Sequence, residues 1–376
     1  MTKSLLVVNP AFHYSFFLVK ELRKLGWRAD VYKPHGYPEF LLYDSDYISE
    51  RTSENRWIRQ IVRIILFLKI SMRYKYFLIY GSVIPEPFIL NQKYERLFLS
   101  PNISIGIYLL KILKKNLIFF PSGCLQEVLQ VDFQKHEDGN VCGNCGYAEN
   151  VCDDKINQIN FDILNKYYDF IIANTPIVSN RINKNLVKHR TLDLEIFRPD
   201  LEIPSAFKLP STGNLRVLHA FYDQHRQHGG KNIKGSPHVL SAIERLKSEG
   251  YPLEYYYLNE VPAKHMRYYQ VQADIVVDQL IYGWWGSTAI EAMALGKPVI
   301  CYLSPSWKEI FLQRFPEYTS LPIVEGNTGN IYEVLKRLTM DKEYREQKGK
   351  ESRQFAEKHF DMKKNARQLE KIFLNL

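Results

Sequence analysis

The sequence is poor in cysteine and contains no long hydrophobic run. Five cysteines among 376 residues are few and odd in number, which argues against a secreted fold held together by disulfides. No uninterrupted apolar stretch reaches the roughly 18 residues that a membrane-spanning helix needs. Residues 4–9 form too short an apolar run for the core of a signal peptide. These absences favour an intracellular protein that is either soluble or peripheral to a membrane.

The composition does contain enough apolar material for a sizeable core. Hydrophobic residues make up 45% of the chain and aromatic residues 14%, which is typical of folded rather than disordered proteins. At roughly 150 residues per domain, the length favours two domains of comparable size.

The net charge of +9 comes from one segment. Residues 51–115 hold twelve Lys and Arg against three Asp and Glu, which leaves 38 residues of each sign elsewhere. Within this segment, Arg56, Arg59 and Arg63 fall on one face of a predicted helix over 56–75. Two interpretations stay open: a basic amphipathic helix on an anionic membrane, or a core helix with a solvated basic stripe. No nucleic-acid-binding module is present, so we expect no nucleic acid partner.

Short apolar runs alternate with helical patterns along the chain. A strand over 5–8, a helix over 14–25 and a strand from 28 to 33 form a β-α-β opening, which is typical of a doubly wound parallel sheet. A Pro- and Ser-rich passage over 199–213 precedes a second series of this kind. We therefore predict an α/β chain with an N-terminal Rossmann-like domain over 1–198 and a C-terminal one over 199–350. A helix over 351–376 is expected to pack back toward the N-terminal domain.

One loop and the helix after it carry the clearest chemical signal. The buried strand over 273–277 leads to a glycine-bracketed loop ending at Gly286, and a helix begins at Ser287 and Thr288. Backbone N–H groups at such a helix start favour a phosphate or pyrophosphate. Glu291 lies one turn into the helix, where its carboxylate can accept both hydroxyls of a ribose.

Residues 291–300, Glu-Ala-Met-Ala-Leu-Gly-Lys-Pro-Val-Ile, resemble the signature of group 1 (family 4-like) glycosyltransferases. The resemblance implies the GT-B fold, in which two Rossmann-like domains face a cleft. It also implies that Glu291 holds the ribose of a nucleotide-sugar donor and that the helix start holds its diphosphate. Further donor-binding residues implied by the family pattern are Arg226, Lys234, Asn259 and Glu260.

The family usually has a second Glu eight residues before Glu291, and Gly283 stands at that position here. Arg226 and Lys234 match two cations that grip the donor phosphates in the family. Fixed cations stabilise the charge that develops on a leaving diphosphate, so we expect no catalytic metal. An ordinary surface role stays open for both of these residues and for Glu260.

Histidines supply the candidates for proton transfer. His13 follows the first strand, and we predict it as a catalytic base or hydrogen-bond donor, with a plain helix-start histidine as the alternative. The turn over 121–124 is a second candidate for the acceptor side. His219 either faces the cleft or is a satisfied strand-end histidine.

Four of the cysteines lie close together in a loop over 124–152, predicted as an insertion in the N-terminal domain. Their spacing suits a closed, structural zinc site, with His136 as a possible substitute ligand. Reduced thiols and disulfides stay open as alternatives. The predicted zinc ligands are Cys124, Cys142, Cys145 and Cys152.

The function predicted from these features is glycosyl transfer of the hexosyltransferase type. The expected donor is a nucleotide sugar, and the expected acceptor is a glycan or lipid-linked intermediate of cell-envelope polysaccharide or glycoconjugate synthesis. We expect the protein in the cytoplasm, peripheral at the inner face of the cell membrane. A nucleotide-sugar epimerase of the same fold and a catalytically silent sugar-nucleotide-binding subunit stay open as alternatives.

Overall fold

A computed structural model describes residues 3–10, 12–34, 42–43, 47–49, 55–81, 83, 105–121, 129–135, 141–146, 152–173, 181–182, 185–187, 190–221 and 230–376. The chain divides into two units. The first comprises Met1–Leu129, Asp153–Lys188 and Met362–Leu376, and the second comprises Gln130–Cys152 and His189–Asp361. The main division therefore falls before the predicted boundary at 198/199. Residues 130–152 group with the second unit, although they are inserted in the sequence of the first.

Each unit contains one sheet, in which all strands are parallel. The first sheet has the order β3-β2-β1-β4-β5-β6-β7 and the second the order β12-β11-β10-β8-β9. The strands are β1 (Ser4–Val8), β2 (Arg28–Lys33), β3 (Tyr47–Ser49), β4 (Tyr76–Tyr80), β5 (Asn116–Phe120), β6 (Phe170–Ala173), β7 (Asn185–Val187), β8 (Leu215–Ala220), β9 (Leu253–Leu258), β10 (Ile275–Val277), β11 (Val299–Cys301) and β12 (Val324–Glu325).

The helices connect these strands and cover the sheets, which confirms the predicted α/β class with two doubly wound domains. In the described part of the chain no helix is long and apolar enough to cross a membrane. The helices are α1 (Phe12–Lys24), α2 (Arg56–Arg73), α3 (Ile105–Ile112), α4 (Gln130–Phe133), α5 (Asp154–Tyr167), α6 (Ser236–Ser248), α7 (Ala263–Gln270), α8 (Ser287–Ala294), α9 (Pro305–Arg314), α10 (Ile331–Met340), α11 (Lys342–His359) and α12 (Met362–Asn375).

The core of the first unit explains why its strands are unbroken apolar runs. Helices cover both faces of a parallel sheet. Successive side chains along a strand point to opposite faces, and those on either face are therefore buried. On one face α2, α3 and α5 contribute to a single hydrophobic cluster. Members of this cluster from the sheet and the three helices include Leu6, Phe77, Phe119, Phe67, Ile107, Leu110, Phe161 and Leu164.

The C-terminal segment forms two helices rather than the single helix predicted over 351–376. Helix α11 ends at His359, and the chain leaves helical geometry because the carbonyl of buried Phe360 accepts a hydrogen bond from the Leu192 N–H at 2.7 Å. Helix α12 then packs on α1 within the first unit. There the Glu370 carboxylate accepts hydrogen bonds at 2.9 Å from Trp27 Nε1 and from Lys3 Nζ.

The second sheet has a point at which the strand order reverses. From β8 the chain passes to β9 on one side and then to β10 on the other. At such a switch point, loops leaving adjacent strands diverge and open a crevice at the carboxyl ends, where α/β proteins bind ligands. A ligand site in the second unit is therefore expected at the loops that follow β8 and β10.

Candidate functional site

A lysine bridges the carboxyl ends of the two strands at the switch point. Lys234 lies just before α6, and its Nζ donates to the carbonyl of Ala220, the last residue of β8, at 3.1 Å. The same Nζ lies 2.8 Å from Oδ1 of Asp278, which directly follows β10. Asp278 is fully buried and Lys234 is nearly so. The ion pair thus fixes a cation at the ligand-binding edge of the sheet.

The same carboxylate also holds the start of α8. Oδ2 of Asp278 accepts a hydrogen bond from the backbone N–H of Gly286, the residue that precedes the helix. A Cβ at Gly286 would lie only 3.2 Å from this oxygen, so the absence of a side chain permits the close approach. Asp278 therefore links Lys234 to the helix N-terminus, whose backbone donors favour an anion.

A second cation lies at this helix start. Arg190 Nη1 donates to Oγ of Ser287, the first residue of α8, at 2.9 Å. The adjacent Thr288 is half-buried in the first turn of the helix. Arg190 adds positive charge to the N-terminal end of α8, where the helix dipole is also positive. The sequence analysis did not single out Arg190, because it is 97 residues away from Ser287 along the chain.

Glu291 lies one turn further into α8 and is buried. Its Oε2 accepts a hydrogen bond at 2.9 Å from Nε2 of Gln270, the fully buried last residue of α7. This bond fixes the orientation of the carboxylate. Asn259 and Glu260 follow β9 at the same edge of the sheet and are exposed. In the described part of the chain no hydrogen bond joins them to Lys234 or Glu291.

These residues lie within the part of the sequence that a family model recognises. The model for glycosyl transferases group 1 matches residues 232–355. This part of the chain is similar to the group 1 glycosyltransferases. The matched range includes Lys234, Asp278, Gln270 and the whole of α8. No curated protein sequence matches the chain.

The likeness to solved structures shows that the chain has the GT-B fold over nearly its whole length. Sucrose-phosphate synthase from Thermosynechococcus elongatus is 16% identical, with a TM-score of 0.61 and coverage of 99% of this chain and 98% of that one. HepE of Anabaena, in complex with UDP and glucose, is 11% identical, with a TM-score of 0.58 and 99% coverage of both chains. UDP-GlcNAc 2-epimerase from Neisseria meningitidis, bound to UDP-GlcNAc, is 13% identical, with a TM-score of 0.53 and coverage of 99% and 100%.

The turn before α8 favours glycine at position 283. Gly283 has a φ of +89°, and a Cβ there would lie 3.0 Å from Cβ of Ser304. The Gly283 carbonyl accepts from the Ser304 N–H at 2.9 Å. Next to it, the rings of Trp284 and Trp285 are buried and stacked, with centroids 4.2 Å apart. A larger side chain at this position would meet both an unfavourable positive φ and a tight contact with Ser304.

His219 is a satisfied strand-end histidine. It is fully buried, its Nδ1 donates to the Val277 carbonyl at 2.9 Å, and its Nε2 lies 2.8 Å from Ser236 Oγ. Burial, followed by the nearby charge of Lys234, lowers the pKa of His219 from 6.5 to about 4. The fold thus keeps this imidazole neutral beside the bridging lysine, Lys234.

The low pKa of His219 predicts a pH-dependent stability. Unfolded His219 takes up a proton below its ordinary pKa of 6.5, whereas the folded protein resists protonation down to about pH 4. The free energy of unfolding should therefore fall by about 3 kcal/mol as the pH is lowered from 6.5 to 4. Urea denaturation at several pH values tests this. His219→Gln should flatten the slope, while His238→Gln, at an exposed histidine of α6, should not. An equal slope in wild type and His219→Gln would refute the assignment.

His13 lies at the start of α1 in the first unit. It is buried, with its ring centroid 5.8 Å from that of Phe17 and 6.3 Å from that of Tyr43. These contacts place the histidine in an aromatic cluster, and its catalytic role stays a prediction. Arg226 lies outside the described residues, as does the turn over 121–124 beyond Pro121.

The described residues do not support the predicted zinc site. Among them, no group of three or more His, Cys, Asp or Glu side chains can hold a metal. Cys142, Cys145 and Cys152 are described, whereas Cys124 and His136 lie outside the described residues. The segment is instead tied to the second unit by aromatic packing. Phe133 of α4 contacts Tyr282 and Trp307, with ring centroids 6.0 and 5.2 Å away.

Proposed function

We propose that the protein is a group 1 glycosyltransferase that transfers a hexose from a nucleotide-sugar donor to a glycan or lipid-linked acceptor. The proposed setting is cell-envelope polysaccharide or glycoconjugate synthesis at the cytoplasmic face of the cell membrane. One observation carries the donor assignment. Asp278 joins a cation, Lys234, to the N-terminus of α8, and Glu291 lies one turn into that helix.

The proposed donor pose follows from the chemistry of these groups. The diphosphate would lie at the start of α8, where backbone N–H groups and the side chains of Lys234 and Arg190 provide positive charge. The carboxylate of Glu291, oriented by Gln270, would accept the ribose hydroxyls. When the glycosidic bond to the diphosphate breaks, negative charge develops on the leaving group. Fixed cations stabilise this charge without reorganisation, so we propose transfer without a catalytic metal.

A thermal-shift panel of UDP-, GDP-, CMP- and dTDP-sugars tests the donor site. UDP-sugars come first in the panel, because HepE and the Neisseria epimerase were solved with UDP-containing ligands. Ligand that binds only the folded state adds its binding free energy to stability, about 2.7 kcal/mol at a concentration a hundred times Kd. One nucleotide sugar should therefore raise the melting temperature, and Glu291→Ala should abolish that rise.

The matched control is Glu333→Ala, which removes an exposed glutamate from the first turn of α10 in the same unit. It should keep the full shift. The donor site is wrong if no nucleotide sugar shifts the melting temperature, or if both variants respond like wild type. Incubating the bound donor without an acceptor separates the alternatives, because an epimerase would convert it alone. Binding without turnover on any acceptor would instead indicate a silent subunit.

A further inference from the structure

The outward side of α2 is apolar, which is unusual for a helix on the surface of a folded domain. Phe67 and Ile70 of this helix are buried in the core of the first unit. Six large apolar side chains on other faces of α2 are between 42 and 79% exposed. They recur at intervals of three and four residues and so form one stripe along the helix. The exposed residues are Ile58, Ile61, Ile64, Ile65, Leu68 and Met72.

The stripe has a counterpart at the end of the next helix. Tyr108, Ile112 and Leu113, in and just after α3, are about half exposed. Helices α2 and α3 both pack into the hydrophobic cluster that contains Leu6 and Phe77, so they cover the same face of the first sheet. We call the nine exposed residues of the two helices the apolar face. Folded proteins rarely expose so much contiguous apolar surface without a binding partner.

The charge on helix α2 has one sign. Residues 56–73 contain five Lys and Arg and no Asp or Glu. Of these, Lys69 and Arg73 are exposed beside the stripe. After α3, Lys114 is exposed next to Leu113, whereas Lys111 is paired with Asp169 at 2.8 Å. Long basic side chains can extend their charged ends toward phosphates while their methylene groups pack against apolar surface.

We propose that the apolar face docks the protein on an anionic lipid bilayer, with α2 lying along the plane of the headgroups. Aliphatic side chains would enter the boundary between headgroups and acyl chains, and the surrounding lysines and arginines would contact lipid phosphates. An 18-residue helix is about 27 Å long. When it lies parallel to the bilayer surface, all six exposed apolar side chains of α2 can contact the lipid. The proposal does not rest on the donor site, which lies in the second unit.

Co-sedimentation of the full chain with vesicles tests the proposal. Wild type should bind phosphatidylcholine vesicles that contain roughly one-third phosphatidylglycerol, and it should bind pure phosphatidylcholine about tenfold less. The triple variant Ile61→Ser, Ile65→Ser, Met72→Ser should lose most of the binding to anionic vesicles. Its control, Leu240→Ser with Met340→Ser, changes exposed apolar residues of the second unit and should bind like wild type.

A second variant keeps the test decisive if the triple variant does not fold. Lys69→Glu with Arg73→Glu changes two exposed positions and should reduce binding to anionic vesicles by about tenfold, with little effect on pure phosphatidylcholine. The proposal is overturned if wild type binds no vesicles, or if folded variants bind as well as wild type. It is also overturned if the triple variant only dissociates a dimer, since the partner would then be a second copy. The donor-induced thermal shift should persist in every folded variant.

Discussion

Replacing Asp278 with Asn is expected to lower the free energy of unfolding by about 3–5 kcal/mol. The carboxylate is fully buried and accepts hydrogen bonds from Lys234 Nζ and the Gly286 N–H. A neutral amide would leave the nearly buried ammonium of Lys234 without a counter-charge, which is the costly way to break a buried ion pair. Chemical denaturation at pH 7 measures the effect.

Two further variants make the Asp278 prediction specific. Glu325→Gln removes the carboxylate from an exposed pair with Lys308, whose N–O distance of 2.7 Å is similar, and it should cost less than about 1 kcal/mol. Adding Lys234→Met to Asp278→Asn removes the unpaired charge and should restore part of the lost stability. If Asp278→Asn lowers the free energy of unfolding no more than Glu325→Gln does, the ion pair does not organise the site.

Lys234→Met should reduce donor turnover by about 100- to 1,000-fold. Removing one fixed group that stabilises developing negative charge in a transition state costs about this much, and Lys234 is the cation held at the switch point. Release of nucleoside diphosphate is the readout, measured with the nucleotide sugar that gives the largest thermal shift. Rates are normalised to folded protein, because the substitution also leaves Asp278 unpaired.

The control for Lys234 lies three residues earlier. Lys231→Met makes the same chemical change at an exposed position and should retain turnover within about threefold of wild type. A Lys234→Met protein that is folded and keeps more than a third of the wild-type turnover would disprove the phosphate role of Lys234.

Local sequence signals were enough to predict most of the strands. The apolar runs over 76–80 and 215–220 are strands with these bounds, because strands of a parallel sheet are covered on both faces. The prediction was wrong over 351–376, where a tertiary hydrogen bond from Leu192 ends α11. Such a contact joins distant parts of the chain and leaves no periodic trace in the sequence.

In the candidate site, too, local sequence signals predict some residues and miss the partners that lie far away along the chain. Lys234, Ser287 and Glu291 belong to helix starts, which are recognisable from neighbouring glycines. Their partners Asp278, Arg190 and Gln270 lie 44, 97 and 21 residues away, respectively. Asp278 meets Lys234 because β8 pairs with β10, and the sequence does not specify that pairing directly. The zinc site predicted from cysteine spacing stays a prediction, because Cys124 and His136 lie outside the described residues.

The turn at Gly283 also bears on how this protein can evolve or be engineered. Substitution with Glu at this position would meet both an unfavourable positive φ and the side chain of Ser304. The turn therefore disfavours the carboxylate that the family pattern has at this position. A single Gly283→Glu substitution would add it only at a cost in backbone strain and in the fit against Ser304. A replacement for that carboxylate is less costly when it comes from another part of the protein or from the substrate.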